Sequence, residues 1–291
     1  MKIEVHKYGR PLGHEILGVD LSTGIDETDL NQIKAVFHEC GVVVLRGQHL
    51  TPDEQVSFSK RLGDLTHYMI NDYLLPGYPE IFVVSNIIEN GKPIGLEDAG
   101  STWHSDMCFS ENPPYGSLLY ALEVPTKNGK VYGDTLFGST QAAYDALPQS
   151  MKHRLEGLKV VNSYGRYIAG KKVAKVQTTG EKSAVLRFDM PPDIAQPLVR
   201  RHPITGRCCL YLSQGLSHEI EGLPETESKA LIAELLEHMT RPEFTYRHSW
   251  RVGDLVLWDN CSAIHRATVD YALPLRRLMY RTTLAGLGRP Q

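Results

Sequence analysis

GDLVLWDNCSAIHRATVDYALPLRRLMYRTTLAG, residues 253–286, holds two strand-like runs whose reading decides the fold. The first, GDLVLWDN, is aliphatic and aromatic and closes on an Asp-Asn pair, the usual punctuation between strand and turn. His265 follows, after small residues and Ile264. In the second run Arg277, Met279 and Arg281 alternate with Leu278, Tyr280 and Thr282. Side chains repeat with period two along a strand, so both arginines then share one face. If that face is inward, each guanidinium needs an anion, since a buried unpaired charge is costly. If it is outward, the arginines are merely solvated.

Working outward, further strand-like runs begin at Gly41 (GVVVLRG), Glu80 (EIFVVSNI), Gly116 (GSLLYALEV) and Cys208 (CCLYLS). Helical patterns lie between some of them. DETDLNQIKAVFHEC opens on acidic residues and places Leu30, Ile33 and Phe37 along one face. TPDEQVSFSKRLG has a Thr cap, Pro in the first turn and a terminal Gly. A third helix ends the stretch SQGLSHEIEGLPETESKALIAELLEHM, with Leu231, Leu235 and Leu236 in its stripe. Strand-rich regions near 80–135 and 185–285 contain few helices, which argues against a doubly wound sheet and for a closed or sandwiched β core decorated by three or four helices. Residues 169–183, AGKKVAKVQTTGEKS, read as a long loop, either a solvated connection or a lid.

A chain of 291 residues can bury one large core without a second domain. Its 31 Lys plus Arg are balanced by 34 Asp plus Glu, so no strong positive field exists to hold a nucleic-acid backbone. Small molecules are the expected partners. Five cysteines form no C-x-x-C pair, their odd number fits a reducing compartment, and no run approaches a membrane span; a cytoplasmic protein is expected.

The chemistry concentrates in WHSDMCF, residues 103–109. In an extended segment His104 and Asp106 point to one side and can grip one ion. Alone this proves little, because about half of random chains with twelve histidines would show an H-x-D somewhere. His265 has the same weakness: a histidine in such a stretch is more often a packed core residue than a ligand, about two to one.

The ordered set of motifs decides between these readings. H-S-D at 104–106, GDT ending at Thr135, WDN with the distal His265, and RR-x-x-x-R from Arg276 together resemble the iron(II)- and 2-oxoglutarate-dependent dioxygenases of the taurine dioxygenase and dichlorophenoxyacetate dioxygenase family. The likeness runs nearly end to end, from LGHEILGVDLS through GVVVLRGQHLTPDEQVSFSKRLGDLTH to the last strand. It implies a mainly β fold with flanking helices, a double-stranded β-helix or jelly roll, spanning 1–291 as one domain. It implies His104, Asp106 and His265 as ligands of iron(II), the facial triad that leaves coordination positions for 2-oxoglutarate and dioxygen. Thr135 and Arg277 fall on the positions that hold the distal carboxylate of 2-oxoglutarate. Arg276 is the alternative, and parity with Arg281 favours Arg277.

His67 and Arg281 match positions that hold the sulfonate in taurine dioxygenase, which implies a small anionic prime substrate, a carboxylate, sulfonate or phosphonate. The tyrosine and asparagine of taurine's pocket are replaced by Ile70 and Gly100, which argues against taurine itself. Tyr68, Met69, Ile70 and Tyr73 fit either an apolar pocket wall or ordinary packing. Asn86, at the end of FVVSN, faces the co-substrate or serves a strand-end turn. The carboxylate of Asp106 argues for oxygenation, because related halogenases have a small residue there. Relatives often self-associate, so a homo-oligomer is compatible with the resemblance. Two rivals use the same residues: a zinc hydrolase, and a non-catalytic metal- or ligand-sensing jelly roll.

Overall fold

The computed structural model describes residues 3–66, 71–97, 100–170 and 190–291. His67, Tyr68, Met69 and Ile70, and most of the expected loop, residues 171–183, lie outside the described residues. Among the described residues no helix is long and apolar enough to cross a membrane.

The architecture is mainly β. An eight-stranded sheet runs in the order Glu4–Lys7, His14–Leu17, Val42–Leu45, Leu255–Asp259, Gly116–Glu123, Leu278–Leu284, Tyr78–Ser85 and Leu74–Leu75. A three-stranded sheet sets Thr135–Ser139 between Thr245–His248 and Ala263–Ala267. The alternation of side chains shows how these sheets are used. Val43, Leu45, Leu118, Tyr120, Leu255 and Leu257 pack with Ile33, Phe37 and Phe58 of the two helices Glu27–Cys40 and Pro52–Leu62. Their neighbours Val42, Val44, Leu119, Ala121, Val256 and Trp258 point the other way, onto Phe137 and Ala263 of the small sheet. The large sheet is thus covered on one face by helices and on the other by the second sheet, and its central strands are apolar at nearly every position.

Both helices begin where their caps say. Asp26 accepts from the Asp29 amide at 2.8 Å. Thr51 and Glu54 form a reciprocal capping box, with Pro52 opening the helix. The third expected helix is Glu225–Met239, which covers a further small sheet through Leu231 and Leu235. The helices Thr140–Asp145 and Gln149–Leu155 escape the sequence reading. At six and seven residues they are too short to show an apolar period.

In strand Leu278–Leu284, Met279 lies opposite Ala121 and Arg281 opposite Leu119. A register shift lies between Leu278 and Met279. The alternation still holds, and Arg277, Met279 and Arg281 are all buried. The interior between the two sheets therefore receives Arg281 from this strand and Arg277 from the residue just before it, and the site is built there.

Candidate active site

His104 and His265 meet through their backbones. Each amide donates to the other's carbonyl, at 3.0 and 2.8 Å, in an isolated antiparallel bridge. The pairing sets both imidazoles on one side, with ring centroids 4.2 Å apart. Asp106 Oδ1 lies 3.7 Å from His104 Nε2 and 3.9 Å from His265 Nε2. The three ligand atoms fall within 4.8 Å of one another. Donors bound to one ion at about 2.1 Å can be at most ~4.2 Å apart, so the two measured separations to Asp106 suit a shared metal.

His104 and Asp106 are each oriented by hydrogen-bonding neighbours. His104 Nδ1 lies 2.8 Å from the Thr102 carbonyl, the acceptor that fixes the tautomer with its lone pair on Nε2. Gly100 packs against the same ring: its φ is +78°, and a Cβ there would stand 2.9 Å from His104 Cε1. Ser117 Oγ donates to Asp106 Oδ2 at 2.7 Å, and Asn260 Oδ1 accepts from the Asp106 amide at 3.2 Å. Asn260 also accepts from Trp258 Nε1 through Oδ1 and from Ser105 Oγ through its carbonyl. The Asp-Asn turn after the WDN strand thus holds the H-S-D segment in place. Ser117 was not foreseen, since a serine within an apolar strand carries no signal by itself.

The electrostatics suit a cation. Burial pushes the Asp106 carboxyl upward, but Arg281, both imidazoles and the Ser117 hydroxyl outweigh it and hold the group well below the usual carboxylate range. Burial, His104 and Arg281 push His265 down to about 3, against the opposing pull of Asp106. At neutral pH Asp106 is a carboxylate and His265 is uncharged, and among the described residues no group hydrogen-bonds to the buried His265 Nδ1. Phe137 and Trp258 wall this ring with centroids at 6.1 and 4.7 Å.

Arg277 is 3 % exposed and has no carboxylate within ion-pair distance among the described residues. Its contacts are neutral: the Met279 sulfur at 3.2 Å from both Nε and Nη2, and Tyr271 Oη at 3.4 Å from Nη1. Arg276 points outward and makes a two-pronged pair with Glu123 at 2.8 and 3.0 Å. The arginine with unspent charge is Arg277. Thr135 lies two residues before Phe137, which is paired with His265, so Thr135 faces the same side as that ligand. Its Oγ1 accepts from Trp250 Nε1 at 3.0 Å, which directs the hydroxyl hydrogen elsewhere. The preceding Gly133 has φ +72°, and a Cβ there would meet Tyr271 Cε1 at 2.9 Å. That crowding explains the glycine of GDT.

Arg281 Nη1 lies 3.3 Å from Asp106 Oδ1, beside the triad. Asn86 spends both ends of its amide on backbone, donating to the Leu275 carbonyl and accepting from the Arg277 amide, each at 2.9 Å. Its amide therefore positions the main chain at Arg277.

A family profile described as "Taurine catabolism dioxygenase TauD, TfdA family" matches residues 4–283. The chain belongs to that dioxygenase family. It is 37% identical over 280 residues to the alpha-ketoglutarate-dependent 2,4-dichlorophenoxyacetate dioxygenase of Cupriavidus pinatubonensis, with 91% of each chain covered. The solved structure of a taurine dioxygenase from Burkholderia xenovorans superposes with a TM-score of 0.80 at 31% identity, covering 100% of this chain and 94% of that one. A third likeness, to AAD-2 in complex with Mn(II) and N-oxalylglycine, has a TM-score of 0.79 at 28% identity and covers 100% of both chains. The zinc-hydrolase and sensor alternatives fall with this result: as a member of the family the chain is an enzyme, a 2-oxoglutarate-dependent dioxygenase with iron(II) as its cofactor and 2-oxoglutarate and dioxygen as co-substrates.

Proposed function

We propose that this chain is a single-domain enzyme over residues 1–291, built as a double-stranded β-helix. It hydroxylates a small anionic organic substrate, or cleaves it oxidatively by way of hydroxylation, while converting 2-oxoglutarate to succinate and carbon dioxide. The observation that carries the reading is the convergence of His104, Asp106 and His265, whose ligand atoms lie within 4.8 Å of one another. Iron(II) held there supplies activation of dioxygen, coupled to oxidative decarboxylation of the 2-oxo acid.

The chain's own residues do the rest. Asp106 stays ionised because Arg281 and Ser117 compensate its burial. Arg277 and Thr135 receive the distal carboxylate of 2-oxoglutarate, by a charge-assisted pair and a hydroxyl hydrogen bond. Phe137 and Trp258 keep water from the triad. Arg281 and His67 meet the anionic group of the prime substrate, and Asn86 keeps the co-substrate arginine in place. With five N–H donors, the Arg281 guanidinium can serve both Asp106 and an incoming anion.

The relatives named for dichlorophenoxyacetate and for taurine both take their names from molecules with an anionic end, a carboxylate and a sulfonate. The higher identity to the first, and Gly100 with no room for a side chain, favour a carboxylate larger than taurine. The location is the cytoplasm, and self-association into a homo-oligomer is compatible with the fold.

The test is oxygen uptake by the purified protein with and without iron(II) and 2-oxoglutarate. Carboxylates, sulfonates, sulfate esters and phosphonates are then screened for stimulation of succinate formation. Uptake that needs neither iron(II) nor 2-oxoglutarate overturns the assignment.

A further inference from the structure

Arg277 is a buried cation whose partners are a thioether and a phenol. Met279 is fully buried, two residues further along the chain, and its sulfur stands 3.2 Å from Nε and 3.2 Å from Nη2. A single acceptor touching those two nitrogens sits on the side edge of the guanidinium. Tyr271 Oη takes one hydrogen of Nη1 at 3.4 Å, and the Tyr271 ring centroid lies 5.8 Å from Cζ. A guanidinium has five N–H groups in a fixed planar fork. Among the described residues these contacts use Nε–H, one hydrogen of Nη2 and one of Nη1, which leaves one hydrogen on each terminal nitrogen.

We propose that Met279 is a positioning residue for the co-substrate: its sulfur occupies the side edge of Arg277 and leaves the two terminal nitrogens for the distal carboxylate. The inference rests on the assignment of Arg277 to 2-oxoglutarate. Sulfur suits the task because it is polarisable and accepts weakly, so it fixes the plane of the guanidinium without neutralising its charge. A carboxylate in the same place would hold Arg277 as firmly but would cancel the charge that has to attract the dianion. An aliphatic side chain would fill the volume and leave Nε–H without an acceptor, free to rotate toward any other.

The experiment is calorimetric titration of manganese-loaded, air-free protein with 2-oxoglutarate, so that binding is read without turnover. Met279→Leu keeps the volume and removes the acceptor. It is expected to raise the dissociation constant about three- to tenfold, the cost of one weak hydrogen bond to a charged group. 2-Oxobutyrate, which keeps the 2-oxo acid head and has no distal carboxylate, should bind parent and variant within about twofold of each other. Met279→Gln restores an acceptor and should stay within about threefold of the parent for 2-oxoglutarate.

An unchanged dissociation constant in Met279→Leu overturns the proposal. So does equal weakening of both acids, which marks a merely structural role, or a Gln variant as weak as the Leu variant. Arg277→Gln in the same titration separates the two readings. If that variant also binds 2-oxoglutarate normally, the assignment of the arginine itself has failed.

Discussion

Asn86 brackets Arg277 by its backbone: Oδ1 accepts from the Arg277 amide at 2.9 Å, and Nδ2 donates to the Leu275 carbonyl at 2.9 Å. Ser85 Oγ adds a third tie, donating to the Arg277 carbonyl at 2.8 Å. The end of strand Tyr78–Ser85 thus fixes the main chain on both sides of the arginine before its side chain enters the interior. Asn86→Ala leaves a buried amide and a carbonyl unsatisfied, a cost of about 1–3 kcal/mol. The expected result is a lower melting temperature and a raised KM for 2-oxoglutarate, with the KM of the prime substrate unchanged.

Arg277→Gln should raise the KM for 2-oxoglutarate about 10- to 100-fold, the loss of a charge-assisted contact worth ~1.5–3 kcal/mol. Arg276→Gln breaks only the exposed pair with Glu123 and should change it less than about twofold. Steady-state kinetics on both variants decide which arginine carries the co-substrate. The reverse pattern would reassign the anchor.

Asp106→Ala removes the only carboxylate of the proposed triad and should abolish succinate formation. Iron(II) binding, followed by the visible band of the iron–2-oxo acid complex under nitrogen, should be lost with it. Near-normal succinate release by this variant would remove the triad assignment.

Gly100→Ala puts a methyl group 2.9 Å from His104 Cε1 at a backbone φ of +78°. The left-handed backbone alone costs about 1–2 kcal/mol. The ring must also move, so iron affinity should fall ~10- to 100-fold, as for loss of a contact that orients a metal ligand. Parallel measurement of melting temperature and iron dissociation constant tests this, and an iron affinity equal to the parent's would refute the packing argument.

His248 is buried, and desolvation lowers its pKa despite the hydrogen bond between Nε2 and Asp254 Oδ2 at 3.1 Å. Tyr246 Oη is 3.0 Å from Nδ1 and can donate to a neutral ring. The unfolded chain therefore binds this proton more readily than the folded one. Its contribution to stability is full above the unfolded value of 6.5 and is lost as pH falls below that, by up to ~1.4 kcal/mol per pH unit. The melting temperature of the metal-free protein should drop between pH 7 and pH 5. His248→Gln, which keeps a donor to Asp254, should flatten that slope.

Much of this was legible along the chain. The caps of Asp26 and Thr51, the period-two runs and the H-x-D spacing are local, set by backbone geometry and short-range hydrogen bonds, so they can be read from neighbouring residues. The parity of Arg277, Met279 and Arg281 was readable for the same reason, and all three are buried. The two short helices were not, because six or seven residues carry no period.

Tertiary structure decided what no local rule reaches. Asp106 is held by Asn260, 154 positions later, and by Ser117 near the start of an apolar strand. Asn86 turned out to clasp backbone 189 and 191 positions away. A hydrogen bond is satisfied by whichever group packing brings near, and packing of two sheets is a property of the whole chain. The sequence determined which residues could bear charge, bind a metal or cap a helix; only the packed core determined which of them met.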